Sequence, residues 1–221
     1  DSMQCSDELK EKIAARLSRF ERWEDTNPEH SRAAVAIAVT DVGPGTKLPG
    51  IKDKDGWSSE AALMLTRRSE SLRNHPGQWA FPGGRVDPGE TLIETALREM
   101  HEEVGIDLDE SAVLGVLDDF VTRSGFTMTP VVVWGGAGLQ AHPNPGEVES
   151  IHRIPLAEFS RTDAPMLEVT DTSEHPILRM PVGDDWIAAP TAALIYQFRE
   201  VCLAGRDTRV AHFEQPEFAW R

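Results

Sequence analysis

The stretch GGRVDPGETLIETALREMHEEVGI, residues 83–106, predicts a helix that carries three glutamates along one edge. On a helical wheel with 3.6 residues per turn, Glu99, Glu102 and Glu103 fall within an arc of about 100°. Like charges one turn apart destabilise a helix by roughly 0.2–0.5 kcal/mol per pair. The crowding therefore indicates either an acidic face that water tolerates or a bound cation.

The apolar residues of this helix lie about a quarter-turn from the acids, so the acids flank the stripe that is buried. Hard divalent cations prefer carboxylate oxygens, and Mg²⁺ commonly bridges one or two carboxylates to substrate phosphates. Glu99 and Glu103 can hold such an ion between them, with Glu102 alongside as a ligand or a base. Gly83 and Gly84 permit close approach of a phosphate, and either could offer a backbone carbonyl to the metal.

Arg98 lies within the same helix and has several acids within reach. One-turn spacing favours pairing with Glu94 or Glu102, and the side chain can also reach back to Glu90 at the start of the helix. We expect Arg98 to orient an acid without touching substrate, and Glu90 and Gly84 to support the site structurally.

A positive patch precedes the helix in a chain whose net charge is −15. Between residues 64 and 86, four arginines and one glutamate give +4 − 1 = +3. Arginine binds phosphate groups through a planar fork of donors, which suits them better than the point charge of lysine. We therefore predict an anionic ligand, bridged by a metal to the carboxylates, and substrate-binding roles for Arg67, Arg68, Arg73 and Arg85.

The composition excludes several other classes of protein. The net charge of −15 argues against nucleic acid or an anionic membrane as the main partner. No run of about 18 apolar residues appears, so no membrane span is expected. The first residues do not resemble a signal peptide, and Cys5 and Cys202 form no disulfide framework, so we expect a reducing, cytoplasmic setting.

Hydrophobic patterning predicts an α/β or α+β sandwich with a mixed sheet. We expect residues 1–30 to form an N-terminal helical extension and residues 31–221 a single domain. Within them, the patterns predict a helix over 6–23 capped by Ser6, strands over 33–40, 61–68, 112–122, 127–135 and 148–156, and a helix over 190–205. Residues 160–185 show no clear period, and the tail after residue 205 is not assigned.

The spacing of the acidic stretch resembles the Nudix box, G-x5-E-x7-R-E-U-x-E-E-x-G-U, where U is aliphatic. Its positions are filled by Gly84, Glu90, Arg98, Glu99, Met100, Glu102, Glu103, Gly105 and Ile106. The resemblance implies a Nudix-type α/β/α sandwich with a loop-helix-loop catalytic motif that carries Mg²⁺ or Mn²⁺. It also implies hydrolysis of a diphosphate linked to another group, with Glu99, Glu102 and Glu103 as the metal-binding acids.

A narrower resemblance lies upstream, in LTRRSESLRNHPGQWAFPGG, residues 65–84. It is similar to L-L-T-x-R-[SA]-x3-R-x3-G-x3-F-P-G-G of the coenzyme A diphosphatase branch, with Arg68 and Arg73 at the basic positions. This resemblance implies cleavage of coenzyme A to 3′,5′-ADP and 4′-phosphopantetheine. Where relatives carry a W-G-x-T-A-like stretch before the last helix, this chain has WIAAPTAA (186–193), which would reshape the end of the pocket for pantetheine or adenine.

Several alternatives stay open at this stage. Glu147, in the loop before a strand, is expected to be an extra ligand or the general base, or else an ordinary loop glutamate. The substrate is expected to be a small nucleotide such as coenzyme A, with ADP-ribose, NADH or another nucleoside diphosphate derivative as alternatives. A nucleotide-sensing module without catalysis is a further reading. Whether the protein forms a homodimer is left open.

Overall fold

A mixed sheet of eight strands forms the centre of the computed structural model, which describes residues 3–73 and 77–213. Along the chain, the elements are α1 (Asp7–Arg19), β1 (Ser31–Gly43), β2 (Ser58–Arg68), β3 (Trp79–Ala80), β4 (Gly83–Arg85), α2 (Leu92–Val104), β5 (Val113–Val116), β6 (Phe120–Val121), β7 (Phe126–Gly136), β8 (Val148–Pro155), β9 (Met166–Glu168), β10 (Ile177–Val182), β11 (Asp185–Ala188) and α3 (Thr191–Phe198). Shorter helical turns lie at Glu110–Ala112, Leu156–Ser160 and Arg199–Leu203. Among the described residues, no helix is long and apolar enough to cross a membrane.

The main sheet has the strand order β3-β2-β1-β7-β5, with β4 paired to β1, β6 to β7 and β8 to β2. The long strands β1 and β7 run parallel, and the other pairings in this sheet are antiparallel. Towards its C-terminal end, β2 leaves β1 and lies between β8 and β3. The end of β2, where Arg67 and Arg68 lie, is thus fixed by backbone pairing on both sides.

Helices cover both faces of this sheet. Side chains along each strand alternate between the two faces, so each strand contributes to two buried clusters. Ala34, Ala36 and Ala38 of β1 share one buried cluster with residues of α2. The intervening residues of β1 share the other cluster with α1, α3 and β10. The α/β sandwich with a mixed sheet that the sequence predicts is confirmed.

A second sheet of three antiparallel strands, β9-β10-β11, lies in a region for which the sequence pattern predicted no regular structure. In β10, the side chains of Leu178, Met180 and Val182 are all buried. This period of two is a strand pattern, but the acidic residues before it obscured the signal. Two residues separate β11 from the start of α3.

The predicted elements are present with shifted ends. Ser6 caps α1 by accepting a 3.3 Å hydrogen bond from the amide of Leu9, but the helix ends at Arg19 instead of residue 23. The strand predicted over 112–122 is divided into β5 and β6. The helix predicted over 190–205 ends at Phe198 and continues as a π-helical turn. Of the unassigned tail, residues 214–221 lie outside the described residues.

Candidate active site

Capping residues in the local sequence define both ends of helix α2. Thr91 and Glu94 form a capping box at its start, in which each side chain accepts a hydrogen bond from the other residue's backbone amide. Gly105 ends it in the left-handed conformation, with φ of 69°. Glu103 is 8% exposed, whereas the side chain of Glu102 is 49% exposed. Glu102 is therefore far more exposed to solvent than Glu103, although both lie on the predicted edge.

Three carboxylates converge at this helix. Oxygen atoms of Glu99, Glu103 and Glu147 all lie within 4.8 Å of one another. Among the described residues, this is the group of acidic, histidine and cysteine side chains that could hold a metal ion. The sequence proposed each of the three, but it grouped Glu102 with the helix acids, and Glu102 is not part of this cluster.

Glu147 reaches the cluster through a turn that is tied to the end of α2. The amide of Asn144 donates to the carbonyl of Glu103 at 2.9 Å, and the amide of Glu147 donates to the carbonyl of Asn144 at 3.0 Å. Pro145 follows Asn144, at the position of such a turn that proline favours. On the other side, the amide of Ser69 donates to the carbonyl of Glu147 at 3.0 Å. The loop acid is therefore fixed between α2 and the end of β2.

The cluster is electrostatically costly without a cation. The pKa of Glu103 is raised to about 8, chiefly by burial and also by the nearby charges of Glu99 and Glu147, while the amide of Gly83 and the charge of Arg68 act in the opposite direction. Burial also raises the pKa of Glu99. Carboxylate oxygens from three acids suit a hard divalent ion, whose charge would offset their mutual repulsion. The donor set therefore fits Mg²⁺ or Mn²⁺.

Arg98 binds the acids that surround it. Its Nε and Nη2 donate to the two carboxylate oxygens of Glu90 at 2.7 and 3.0 Å. Its Nη1 donates to Glu99 at 3.0 Å and to Glu102 at 3.3 Å. Hydrogen bonds from Arg98 and Thr95 lower the pKa of Glu90 to about 2. Arg98 thus fixes the carboxylate of Glu99 and also pairs with Glu102.

The two glycines before α2 lie directly against the acids. The amide of Gly83 donates to Oε2 of Glu103 at 2.9 Å. A Cβ atom at Gly84 would lie 2.5 Å from Oε1 of Glu99. The structure thus shows an amide contact for Gly83, and its carbonyl as a metal ligand stays a prediction.

The four predicted arginines are placed in different surroundings. Arg68 pairs with Val148, the residue after Glu147, across β2 and β8, and its charge lowers the pKa of Glu103. Arg67 packs its guanidinium 4.9 Å from the ring centre of Trp79, and exposed Arg85 lies 4.8 Å from that of Phe126. Arg73 is exposed at the edge of the described residues. Arg68 is therefore the arginine best placed to meet a phosphate bound at the carboxylates.

The family model of the NUDIX domain matches residues 53–172. This chain belongs to the Nudix family. It is similar to the uncharacterized Nudix hydrolase NudL of Pectobacterium atrosepticum, at 42% identity over 138 residues that cover 61% of this chain and 72% of that protein. It is also 48% identical to the uncharacterized Nudix hydrolase NudL of Photorhabdus laumondii over 141 residues, which cover 62% of this chain and 75% of that protein.

Solved structures of other Nudix proteins are similar at lower identity. The Nudix hydrolase RenU from M. smegmatis is 22% identical, with a TM-score of 0.48 over 82% of this chain and 88% of that one. A MutT/nudix family protein from Enterococcus faecalis is 16% identical, with a TM-score of 0.49 over 80% of this chain and 64% of that one.

This Nudix protein also has a cavity of about 190 Å³ at the end of β2. The cavity lies between β2, β3, β11 and the start of α3, and it is lined by Arg67, Gly77, Gln78, Trp79, Asp185, Trp186, Ala188, Ala189, Pro190 and Thr191. From this group, the sequence indicated Arg67 and the stretch 186–193, and it did not single out Trp79 or Asp185. The signal that could have found Asp185 is its position directly before Trp186, at the end of an acidic, glycine-containing turn.

Proposed function

We propose that this Nudix hydrolase uses Mg²⁺ or Mn²⁺ to hydrolyse the diphosphate linkage of coenzyme A or one of its derivatives. The products would be 3′,5′-ADP and 4′-phosphopantetheine. The observation that carries the proposal is the convergence of Glu99, Glu103 and Glu147 within 4.8 Å, with Arg68 close by. The choice of coenzyme A rests on the resemblance of residues 65–84 to the coenzyme A diphosphatase branch.

Each of these residues would have a separate role in such a reaction. A divalent ion, when bound, would polarise a phosphoryl oxygen and lower the pKa of a bound water. Glu99 and Glu103 hold it from α2, and Glu147 adds a third carboxylate or accepts the proton of the attacking water. Arg68 stabilises negative charge on the diphosphate. Glu102, held by Arg98 outside the cluster, is a weaker candidate for ligand or base.

The alternatives share this chemistry and differ in the group attached to the diphosphate. ADP-ribose, NADH and other nucleoside diphosphate derivatives present the same bond to the same carboxylates. A nucleotide-sensing module would bind such compounds without releasing products. Product analysis separates all of these cases.

The test is to incubate the purified protein and Mg²⁺ with coenzyme A, ADP-ribose and NADH in parallel, and to separate the products by chromatography. We expect coenzyme A to release 3′,5′-ADP well ahead of cleavage of the other two. Preferential cleavage of ADP-ribose or NADH would overturn the substrate, and cleavage of none would favour the sensing module.

Two variants connect the activity to the carboxylates. Glu103→Gln is expected to lower turnover by orders of magnitude while circular dichroism and the melting temperature show a folded protein. Glu149→Gln is the matched control, because Glu149 is exposed on β8, two residues after Glu147. Normal turnover in Glu103→Gln would reject the metal assignment.

A further inference from the structure

The cavity at the end of β2 combines aromatic and charged surfaces. Trp79 is buried, with the guanidinium of Arg67 over its ring at 4.9 Å. Trp186 contributes a partly exposed indole from β11. Arg67 also donates to the carbonyl of Gly77 at 3.0 Å and to Asp185 at 3.3 Å. Guanidinium and indole planes are surfaces on which flat rings stack.

This cavity is next to the carboxylate cluster along the chain. Arg67 lines the cavity, Arg68 acts on Glu103, and Ser69 hydrogen-bonds the backbone of Glu147. Two residues of a strand span roughly 7 Å. Arg67 and Arg68 are the last two residues of β2, so a ligand that uses both sites passes this end of the strand. The cluster and the cavity could therefore bind two parts of one substrate.

The size and chemistry of the cavity favour a single flat ring system. Pockets for drug-sized ligands measure about 300–1,000 Å³, so 190 Å³ accommodates a part of the substrate and not all of it. Asp185 offers hydrogen-bond acceptors, and Arg67 offers donors. Their mutual ion pair is solvent-exposed, with side-chain exposures of 53% and 35%. Such pairs contribute little stability, so both groups can bind a ligand at low cost.

We propose that the cavity between Arg67, Trp79 and Trp186 binds the adenine base of the substrate, with Asp185 accepting from its amine and Arg67 donating to a ring nitrogen. Adenine presents an amine beside an unprotonated ring nitrogen, which complements a carboxylate beside a guanidinium. A flexible pantetheine arm has no ring to stack on these surfaces. The assignment rests on the proposed function only in that the substrate is an adenine nucleotide, which holds for coenzyme A, ADP-ribose and NADH.

Binding to the metal-free protein tests this assignment without catalysis. Adenosine 3′,5′-bisphosphate, its guanosine counterpart and 4′-phosphopantetheine are titrated into the chelator-treated protein in a calorimeter. We expect the adenosine compound to bind the unaltered protein more tightly than the guanosine compound. Trp186→Ala should weaken the binding of adenosine 3′,5′-bisphosphate at least about tenfold, in line with the loss of one stacking contact. Trp186→Phe should restore most of that affinity.

Trp23→Ala is the matched control, because Trp23 is another partly exposed tryptophan and does not line the cavity. Its affinity for each probe should equal that of the unaltered protein. Unchanged nucleotide affinity in Trp186→Ala, or no nucleotide binding by the unaltered protein, would overturn the proposal. A loss confined to 4′-phosphopantetheine would instead assign the cavity to the pantetheine arm, and equal binding of both nucleotides would overturn the adenine assignment.

Kinetics separate this inference from the proposed function. In Trp186→Ala, KM for the cleaved substrate should rise about tenfold with little change in kcat, because the base is remote from the reacting phosphorus. If ADP-ribose or NADH is cleaved instead of coenzyme A, the substrate proposal fails and the adenine site stands. If coenzyme A is cleaved and Trp186→Ala binds adenosine 3′,5′-bisphosphate normally, the adenine site alone fails.

Discussion

The backbone of Gly84 lies against the carboxylate of Glu99, so that a Cβ atom at position 84 would be 2.5 Å from Oε1 of Glu99. The space that glycine leaves is therefore occupied by a proposed metal ligand. Gly84→Ala should push this carboxylate out of the cluster, because a carboxylate at the end of a flexible side chain moves more easily than the backbone. We expect divalent-ion affinity and kcat to fall roughly 10–100-fold, with little change in the melting temperature.

Gly83→Ala is the informative comparison for that variant. Its added Cβ would lie 2.5 Å from both the carbonyl oxygen of Ala34 and Cγ1 of Val35, which belong to the central strand β1. The sheet must move to remove this steric clash. We therefore expect thermal unfolding to show that the variant is destabilised by roughly 1–3 kcal/mol. If Gly84→Ala were the variant that lost stability and Gly83→Ala the one that stayed folded, this account of the two glycines would be wrong.

Arg98→Lys tests whether a forked side chain is needed to hold the acids. Arg98 makes hydrogen bonds to Glu90, Glu99 and Glu102 in different directions, whereas lysine keeps the charge and loses the planar fork. We expect kcat to fall about 10–100-fold, as for other residues that orient metal ligands. Arg19→Lys, on the exposed end of α1, should retain full kcat. Full activity in Arg98→Lys would mean that positive charge alone is sufficient.

Much of the centre of the molecule could be predicted from local sequence signals. The apolar stripe of α2, with Ala96, Met100 and Val104, is buried as the helical period indicated, and the cap at Ser6 depends only on residues within one turn. The central strands were visible because they are apolar runs buried on both faces. Local patterns therefore located the helix that carries two of the clustered acids.

What the sequence could not supply is the set of long-range contacts. Glu147 meets Glu99 through a turn and a strand pairing that no local period encodes, and Glu102 lies outside the cluster although Arg98 binds both it and Glu99. Likewise, the pairing of Arg67 with Asp185 joins residues 118 positions apart. Side-chain spacing on one helix restricts which acids can meet, but tertiary packing selects among them.

The grouping of Glu147 with the helix acids predicts an order of metal affinities. Glu147→Gln should weaken Mn²⁺ binding to the metal-free protein by roughly 10–100-fold, because it removes a carboxylate from the cluster. Glu102→Gln should have a smaller effect, since the half-exposed side chain of Glu102 lies outside the cluster. Calorimetric titration measures both affinities. A greater loss in Glu102→Gln would show that the exposed edge of α2 binds the ion.

Asp25 joins the segment after α1 to the sheet. It should make the free energy of unfolding depend on pH in the acid range. A hydrogen bond from the hydroxyl of Thr127 is the main cause that lowers the pKa of Asp25 to about 2, with help from His30 and Asn27 and against the effect of burial. An aspartate in an unfolded chain titrates near 3.9. Because the folded-state pKa is the lower one, this stabilisation is present above about pH 5 and is lost as the pH falls towards 2.

Asp25→Asn should therefore cost on the order of 1–3 kcal/mol at pH 7 and reduce the loss of stability between pH 5 and pH 3. Urea unfolding followed by tryptophan fluorescence at several pH values measures both effects. Asp171→Asn provides the control, since Asp171 is exposed, and its unfolding free energy should follow that of the unaltered protein at each pH. If Asp25→Asn lost as much stability on acidification as the unaltered protein, other carboxylates would have to account for the acid sensitivity.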